Sequence, residues 1–430
     1  MTPAYVSAEE AVRLIQPGDR VYLHEVAMTP HELVDALVRR AGELSDVETI
    51  SLHTEGPAPQ VAPALAGRIR HNALFAGANV RAAINEGWAD YTPVFLSDVP
   101  GLFADGTFPL DVALLQVSPP DRHGFCRLGV SVACARAAAD HARVVIGLVN
   151  PRVPLTLGNS AVHLSRFAAL VETDRPLPVV EPRPVGDIEQ RIGEQVARLV
   201  EDRATLQMGI GAIPDAVLSC LTDRSDLGVH TEMFSDSLVD LVEAGVITNR
   251  YKNTWRGRVV TSFAYGSQRL YDFVDGNPFV EFHSSDIVND TREIRRIERM
   301  VAINSALEID LTGQVVADSI GEMIYSGIGG QMDFIRGARL SPGGKAIIAL
   351  PATAKGGTLS RIVSTIKSGA GVVTTRGHVQ YVATEYGVVD LAGQSLRKRA
   401  DLLISIAHPD VRPDLRTASV ARHFSLPSSL

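Results

Sequence analysis

The chain has 430 residues, of which 45% are hydrophobic and 21% charged. It is too long for one ordinary domain, and its apolar share excludes wholesale disorder, so two or three packed domains are expected. Lysine and arginine number 41 against 49 aspartate and glutamate, for a net charge of −8. This argues against a nucleic-acid protein, which would carry a basic surplus.

The opening residues Met1–Tyr5 lack a basic stretch followed by an apolar one, which predicts a cytoplasmic chain without a signal peptide. Val21–Leu23 reads as a strand and Pro30–Arg40 as the helix after it. Val112–Val117 and Val144–Val149 are apolar, β-branched runs that end in Pro/Gly or Asn-Pro turns, as buried strands do. No run reaches the roughly 18 apolar residues of a membrane span. Cys126, Cys134 and Cys220 are too few and too widely spaced for a disulfide framework or a zinc site, so buried, reduced thiols are expected.

Pro176, Pro178, Pro182 and Pro184 interrupt all periodicity over Glu172–Asp187, which predicts a semi-rigid linker. It divides the chain into residues 1–180 and 187–430. Beyond it, Ile188–Asp202 has helical apolar spacing. Ala204–Gln207 then leads through glycines into the helix Ile213–Leu221, and the strand Asp226–Thr231 leads into the helix Ser235–Ala244. Ala346–Leu350, Gly371–Thr374 and Leu402–Ile406 read as further buried strands. Strands alternating with helices predict an α/β protein: two open, mostly parallel sheets covered on both faces.

Four segments could carry chemistry. Gln207–Pro214 places Gly209, Ile210, Gly211, Ala212 and Ile213 between a strand and a helix, where amides can approach an anion or a developing oxyanion. It is not a dinucleotide fingerprint, because the third glycine would fall at Pro214. Glu232, in His230-Thr231-Glu232-Met233, follows a strand and precedes a helix, the side of an open parallel sheet on which ligands bind. A carboxylate there can act as nucleophile or base, or can simply cap a helix. Ser326–Phe334 sets Gly327, Gly329 and Gly330 close to Asp333 and Arg336. Lys355, flanked by Gly356 and Gly357, suits a phosphate without forming a Walker loop. Asn85–Pro93 and Val117–Phe125 are polar loops that could line a cleft. His123 has no partner at metal spacing and reads as a solvated side chain.

Taken in order, these segments resemble the acetyl-CoA hydrolase/transferase family, in its 4-hydroxybutyrate CoA-transferase-like branch of the family I CoA-transferases. Tyr91–Ser97, Val117–Val132, Gly209–Ile213, His230–Met233, Ser326–Phe334, Lys355–Gly357, Ala383–Gly387 and Ile406–Asp410 carry the resemblance. It implies an active site in a cleft between the two domains and a ping-pong transfer of CoA. The acyl-CoA would be short-chain (acetyl, propionyl, butyryl or 4-hydroxybutyryl) and the acceptor a carboxylate. By the family motif, Glu232 would be the nucleophile, passing through an acyl-glutamyl anhydride and a glutamyl-CoA thioester. Gly209–Ile213 would hold CoA, with the Ile213 amide as an oxyanion donor. Gly329 and Gly330 would form the second glycine loop, and Lys355 would lie near the CoA phosphates. Charge, apolar run length and residue spacing lead to no expected metal and no nucleic-acid or membrane partner, and a homodimer is expected as the commonest closed assembly. The alternative on the same scaffold is an acyl-CoA hydrolase; a CoA-binding protein without turnover is disfavoured by Glu232. Glu308 and Glu385 are rival carboxylates. Two departures stand out: His24-Glu25, bulkier and more charged than the small residues usual after the first strand, and Ala133, where relatives often have aspartate. A cleft-facing His24-Glu25 would alter acyl selectivity.

Overall fold

A computed structural model describes residues 3–181 and 184–424. The apolar runs pair into two large sheets. In the first, the order is Ala4–Tyr5, Ala169–Glu172, Val144–Val149, Val112–Val117, Arg20–Leu23, Val47–Ser51, Ile69–Ala73 and Asp90–Tyr91. All its ladders are parallel. Val112–Val117 is buried throughout, as a central strand packed on both faces must be. Each buried Val or Leu there contributes about 1.5–3 kcal/mol over an exposed one.

The second sheet runs Gly387–Asp390, Tyr381–Thr384, Lys345–Ala349, Met300–Ser305, Thr205–Met208, Gly228–Phe234, Val259–Ala264, Val280–Phe282 and Leu157–Gly158. Only the Tyr381–Thr384 and Gly387–Asp390 hairpin is antiparallel. Thr205–Met208 comes first in the chain among the strands after the linker, yet lies in the middle. It has Gly228–Phe234 on one side and Met300–Ser305 on the other. The direction of winding therefore reverses at this strand, and the crevice beyond its carboxyl end is where such sheets bind ligands.

The mixed α/β architecture with large parallel sheets agrees with the expectation. Val112–Val117 and Val144–Val149 form as read, and the helix read at Pro30–Arg40 spans His31–Arg39. Three readings need correction. Leu402–Ile406 lies almost entirely in the helix Leu396–Ser405, where Ala400, Leu403 and Ile404 make a buried helical stripe; periodicity cannot tell a short apolar run in a helix from a strand. Gly371–Thr374 is not a strand, and only Thr374 bridges, to Val315. The strand read as Asp226–Thr231 runs Gly228–Phe234, so Glu232 lies within it rather than after it.

The connection from Glu172 to Asp187 carries no helix or strand among its described residues; Pro182 and Arg183 lie outside them. It is exposed for most of its length but is tethered to the second half. Leu177 is buried, Val180 N–H donates to Gly266 O at 2.9 Å, and Tyr271 donates to Pro178 O at 2.7 Å. Leu157–Gly158, from before this connection, closes the edge of the second sheet. Cys126 and Cys134 are buried, Cys220 is half-buried, and all three are free. Among the described residues no helix is long and apolar enough to cross a membrane.

Candidate active site

The site begins with an interrupted ladder. Thr205 and Leu206 pair with Gly228 and Val229, and then the two strands part. The Thr231 hydroxyl takes over, donating to Met208 O at 2.9 Å and lying 3.2 Å from Met208 N. On its other side Gly228–Phe234 stays paired with Val259–Ala264 as far as Phe234. The strands splay where the first ends in Gly209, and Glu232 stands beside the opening.

Strand alternation puts His230 and Glu232 on one face. His230 Nε2 lies 2.8 Å from Val288 O. A carbonyl only accepts, so Nε2 carries the hydrogen and Nδ1 is bare and unpartnered. Burial pushes this imidazole down to about 3, so it supports the strand as a neutral group. The half-buried Glu232 accepts from Asn289 Nδ2 through Oε2 at 2.9 Å and from the Gly330 amide. Burial raises its pKa; the Asn289 and Gly330 donors and the nearby His53 oppose the rise. Gly330 is the N-cap of the helix Gln331–Leu340. The carboxylate thus sits at a helix N-terminus, which favours its charge by about 0.3–1 kcal/mol. A Cβ on Gly330 would overlap Glu232 Oε2 and Asn289 Nδ2.

Glu232 shares a cavity of about 250 Å³ with Met208, Gly209, Ile210, Ser305 and the Gly327–Gln331 loop. Gly209 faces open space, so its backbone is bare to a ligand. Ile210 also lines a second cavity of about 320 Å³, with Gly211, Ala212, Asp215 and Tyr265. Gly211, at φ 118°, starts the helix Ala212–Ser219. Ile213 lines neither cavity. Lys355 is exposed at the tip of the hairpin formed by Thr353–Ala354 and Leu359–Ser360, outside the cavity lining. Gly209, Ile210, Gly329 and Gly330 are therefore brought together around Glu232, while Gly211 and Ala212 turn to the neighbouring cavity.

The rival carboxylates are engaged elsewhere. Glu308 pairs with Lys367 Nζ at 2.7 Å, and Glu385 accepts from Ala352 N–H at 2.8 Å. His24, Glu25 and Ala133 are all fully buried and outside the cavity lining. The condition for an effect on acyl selectivity, exposure to the cavity, is thus unmet at His24-Glu25. Instead, Glu25 Oε1 accepts from Ser131 Oγ at 3.0 Å and from Cys134 N–H at 3.1 Å. His123 is exposed and its N–H donates to Asp121 Oδ1.

Sequence reasoning gave no individual site role to the residues that come from a distance. The first sheet's half supplies Phe75 to the cavity wall, and the His53 ring packs on it, centroids 5.9 Å apart. Leu96 N–H donates to Gly329 O at 3.1 Å and Phe95 bridges to Gly329. Ser97 Oγ donates to Asp333 at 2.8 Å. Of the two polar loops, Asn85–Pro93 meets the second half, with Asn85 Nδ2 donating to Ile324 O at 2.9 Å. Val117–Phe125 does not reach the cavity; its end, in Phe125–Arg127, pairs with Ala161–His163. Asn289, which has no motif around it, was invisible in the sequence.

An α/β chain with a glutamate held by amides at a sheet's switch point is the class of protein this fold and site define. Comparison makes the family explicit. The acetyl-CoA hydrolase/transferase N-terminal domain matches residues 3–181, and the C-terminal domain of the same family matches residues 266–419. The chain belongs to this family. It is 48% identical over 410 residues to a 4-hydroxybutyrate coenzyme A transferase of Clostridium kluyveri, covering 95% of this chain and 96% of that one. It is also 48% identical over 429 residues to a succinyl-CoA:acetate/propanoyl-CoA:succinate CoA transferase of Fasciola hepatica, covering 99% and 89%. Among solved structures, RipA from Yersinia pestis matches with a TM-score of 0.92 at 36% identity, over 98% of both chains. A 4-hydroxybutyrate CoA-transferase from Porphyromonas gingivalis matches at 0.85 and 40%, over 97% and 98%.

Proposed function

We propose that in this chain, an acyl-CoA:carboxylate CoA-transferase, the chemistry runs through Glu232. The carrying observation is its carboxylate, held at the cavity wall by the Asn289 amide and the Gly330 N–H. Glu232 attacks the thioester carbonyl of a short-chain acyl-CoA, the C–S bond breaks, and an acyl-glutamyl anhydride and CoA thiolate result. The thiolate attacks the glutamyl carbonyl, releasing the first carboxylate and leaving Glu232 as its CoA thioester. A second carboxylate reverses the two steps and departs as the new acyl-CoA.

Both tetrahedral oxyanions need donors. We assign this role to the Gly330 amide and to the amides of Gly209 and Ile210, which line the cavity with Glu232, each worth about 2.7–4 kcal/mol in comparable sites. Gly329 is assigned to the second CoA-facing loop, and Lys355, exposed on its hairpin, to the CoA phosphates. We assign the site to the cleft expected between segments 1–180 and 187–430; Phe75 and Gly329, one from each segment, both line the cavity and support this reading. Acetyl, propionyl, butyryl and 4-hydroxybutyryl groups are the proposed acyl class. The proposed setting is a cytoplasmic homodimer, and light scattering tests the assembly.

Incubation with butyryl-CoA and no acceptor, followed by peptide mass spectrometry, tests the reading. A CoA adduct on Glu232 is expected. An adduct on Glu308 or Glu385 would overturn the assignment, and steady release of butyrate without acceptor would make the enzyme a hydrolase. Glu232→Ala should lose transfer while still binding CoA.

A further inference from the structure

Asp333 is the third residue of the helix Gln331–Leu340. In a capping box the side chain at this position folds back to the N-cap amide of its own helix. Here that amide, of Gly330, is given to Glu232. Asp333 turns away instead, accepting from Ser97 Oγ at 2.8 Å, Ser97 N–H at 3.2 Å and Asn289 Nδ2 at 3.4 Å. The same Asn289 nitrogen donates to Glu232 Oε2. Asn289 is fully buried, and its Oδ1 has no partner. Its two N–H bonds thus go to two carboxylates, and nothing else on the amide fixes its rotation.

We propose that Asp333, anchored by Ser97, is a positioning residue that orients the Asn289 amide and thereby holds Glu232 for attack. This rests on Glu232 being the nucleophile. Asp333 touches neither Glu232 nor the cavity and works through Asn289. Ser97 belongs to the loop after Asp90–Tyr91, the edge strand of the first sheet, and that loop also clamps Gly329. The aim of a carboxylate on the second sheet is therefore set by a serine from the first. The alternative is a purely structural role, joining the two halves without affecting Glu232.

The test is the single-turnover rate at which butyryl-CoA places CoA on Glu232, followed by quenched peptide mass spectrometry, with butyryl-CoA affinity measured by calorimetry. At pH 8, where Asp333 is ionised, losing its charge-assisted hydrogen bond corresponds to about 10–100-fold. Asp333→Asn is expected to slow adduct formation by that factor and to leave affinity within about threefold. Ser97→Ala should slow it less, in the same direction. The double variant Asn289→Ala/Asp333→Asn should be no slower than Asn289→Ala alone, because the effect passes through Asn289. An unchanged rate in Asp333→Asn, or slowing that multiplies in the double variant, would overturn the inference. Should Asp333→Asn not fold, Ser97→Ala decides by itself, and an unchanged rate there counts against it. Wild-type enzyme with no adduct on Glu232 overturns the nucleophile reading and this inference with it.

Discussion

Asn289 Nδ2 donates to Glu232 Oε2 at 2.9 Å, joining residues 57 positions apart in the chain. The donor is a neutral amide, and so is the other, Gly330 N–H. A lysine or arginine here would pull the carboxyl pKa down and weaken it in the nucleophilic role proposed for it. Neutral donors orient the group while burial keeps its pKa raised.

Gly330→Ala tests how tightly this arrangement is packed. The added Cβ would overlap both Glu232 Oε2 and Asn289 Nδ2. A displacement of about 1 Å at a reacting group can cost about 100-fold. Transfer rate should fall by that order while acyl-CoA affinity changes little. A variant with wild-type kcat would show that Gly330 does not hold the carboxylate.

Two glycines of one loop should behave differently. Gly211 has φ 118°, a conformation that penalises any side chain, so Gly211→Ala should lose about 1–3 kcal/mol in urea unfolding. Gly209 has no such φ, and a Cβ added there would meet nothing within 4 Å. Gly209→Ala should keep its stability and raise the KM for acyl-CoA, because the methyl enters the cavity. Equal destabilisation of the two would refute the assignment.

Asp333 should show its burial in the pH dependence of stability. Burial, aided by the charge of Glu232, raises its pKa from 3.8 to about 7. The folded state then holds a proton that the unfolded state has lost between these values. Stability therefore falls as pH rises from about 4 to 7 and levels off above, by about 1.4 kcal/mol per unit. Asn lacks this titration, so the melting temperature of Asp333→Asn relative to wild type should rise from pH 5 to pH 8. A constant difference would contradict it.

Lys252 carries the opposite sign. It is 3% exposed, and its Nζ donates to Val229 O and Arg258 O, each at 2.8 Å. Burial lowers its pKa from 10.5 to about 7. Here the unfolded state binds the extra proton, so stability rises with pH from 7 to 10.5. Any advantage of Lys252→Met over wild type should shrink by about 1.4 kcal/mol per unit as pH goes from 7 to 9. A widening gap would refute the buried-lysine account.

Much of this molecule was legible as text. Val112–Val117 and Val144–Val149 are apolar enough to be only central strands, and the glycines around Ile210 mark a strand-to-helix turn. Leu402–Ile406 misleads because five mostly apolar residues fit both periods. Leu157–Gly158 leaves no signal because two residues carry no pattern of their own, and their place is set by the edge of Val280–Phe282.

The sequence by itself determined the α/β class, the family and the identity of Glu232 as the motif carboxylate, because local apolar patterning and a contiguous motif are both properties of neighbouring residues. Only the tertiary structure decided what holds that carboxylate. Asn289, the Gly330–Asp333 helix start and Ser97 come from three separate segments, and hydrogen bonds between them form only after the sheets have brought those segments within about 3 Å. Such contacts leave no trace in local spacing. The same reason turned Glu308 toward Lys367, buried His24 and Glu25 beneath Ser131, and left Glu232 at the place where the second sheet's winding reverses.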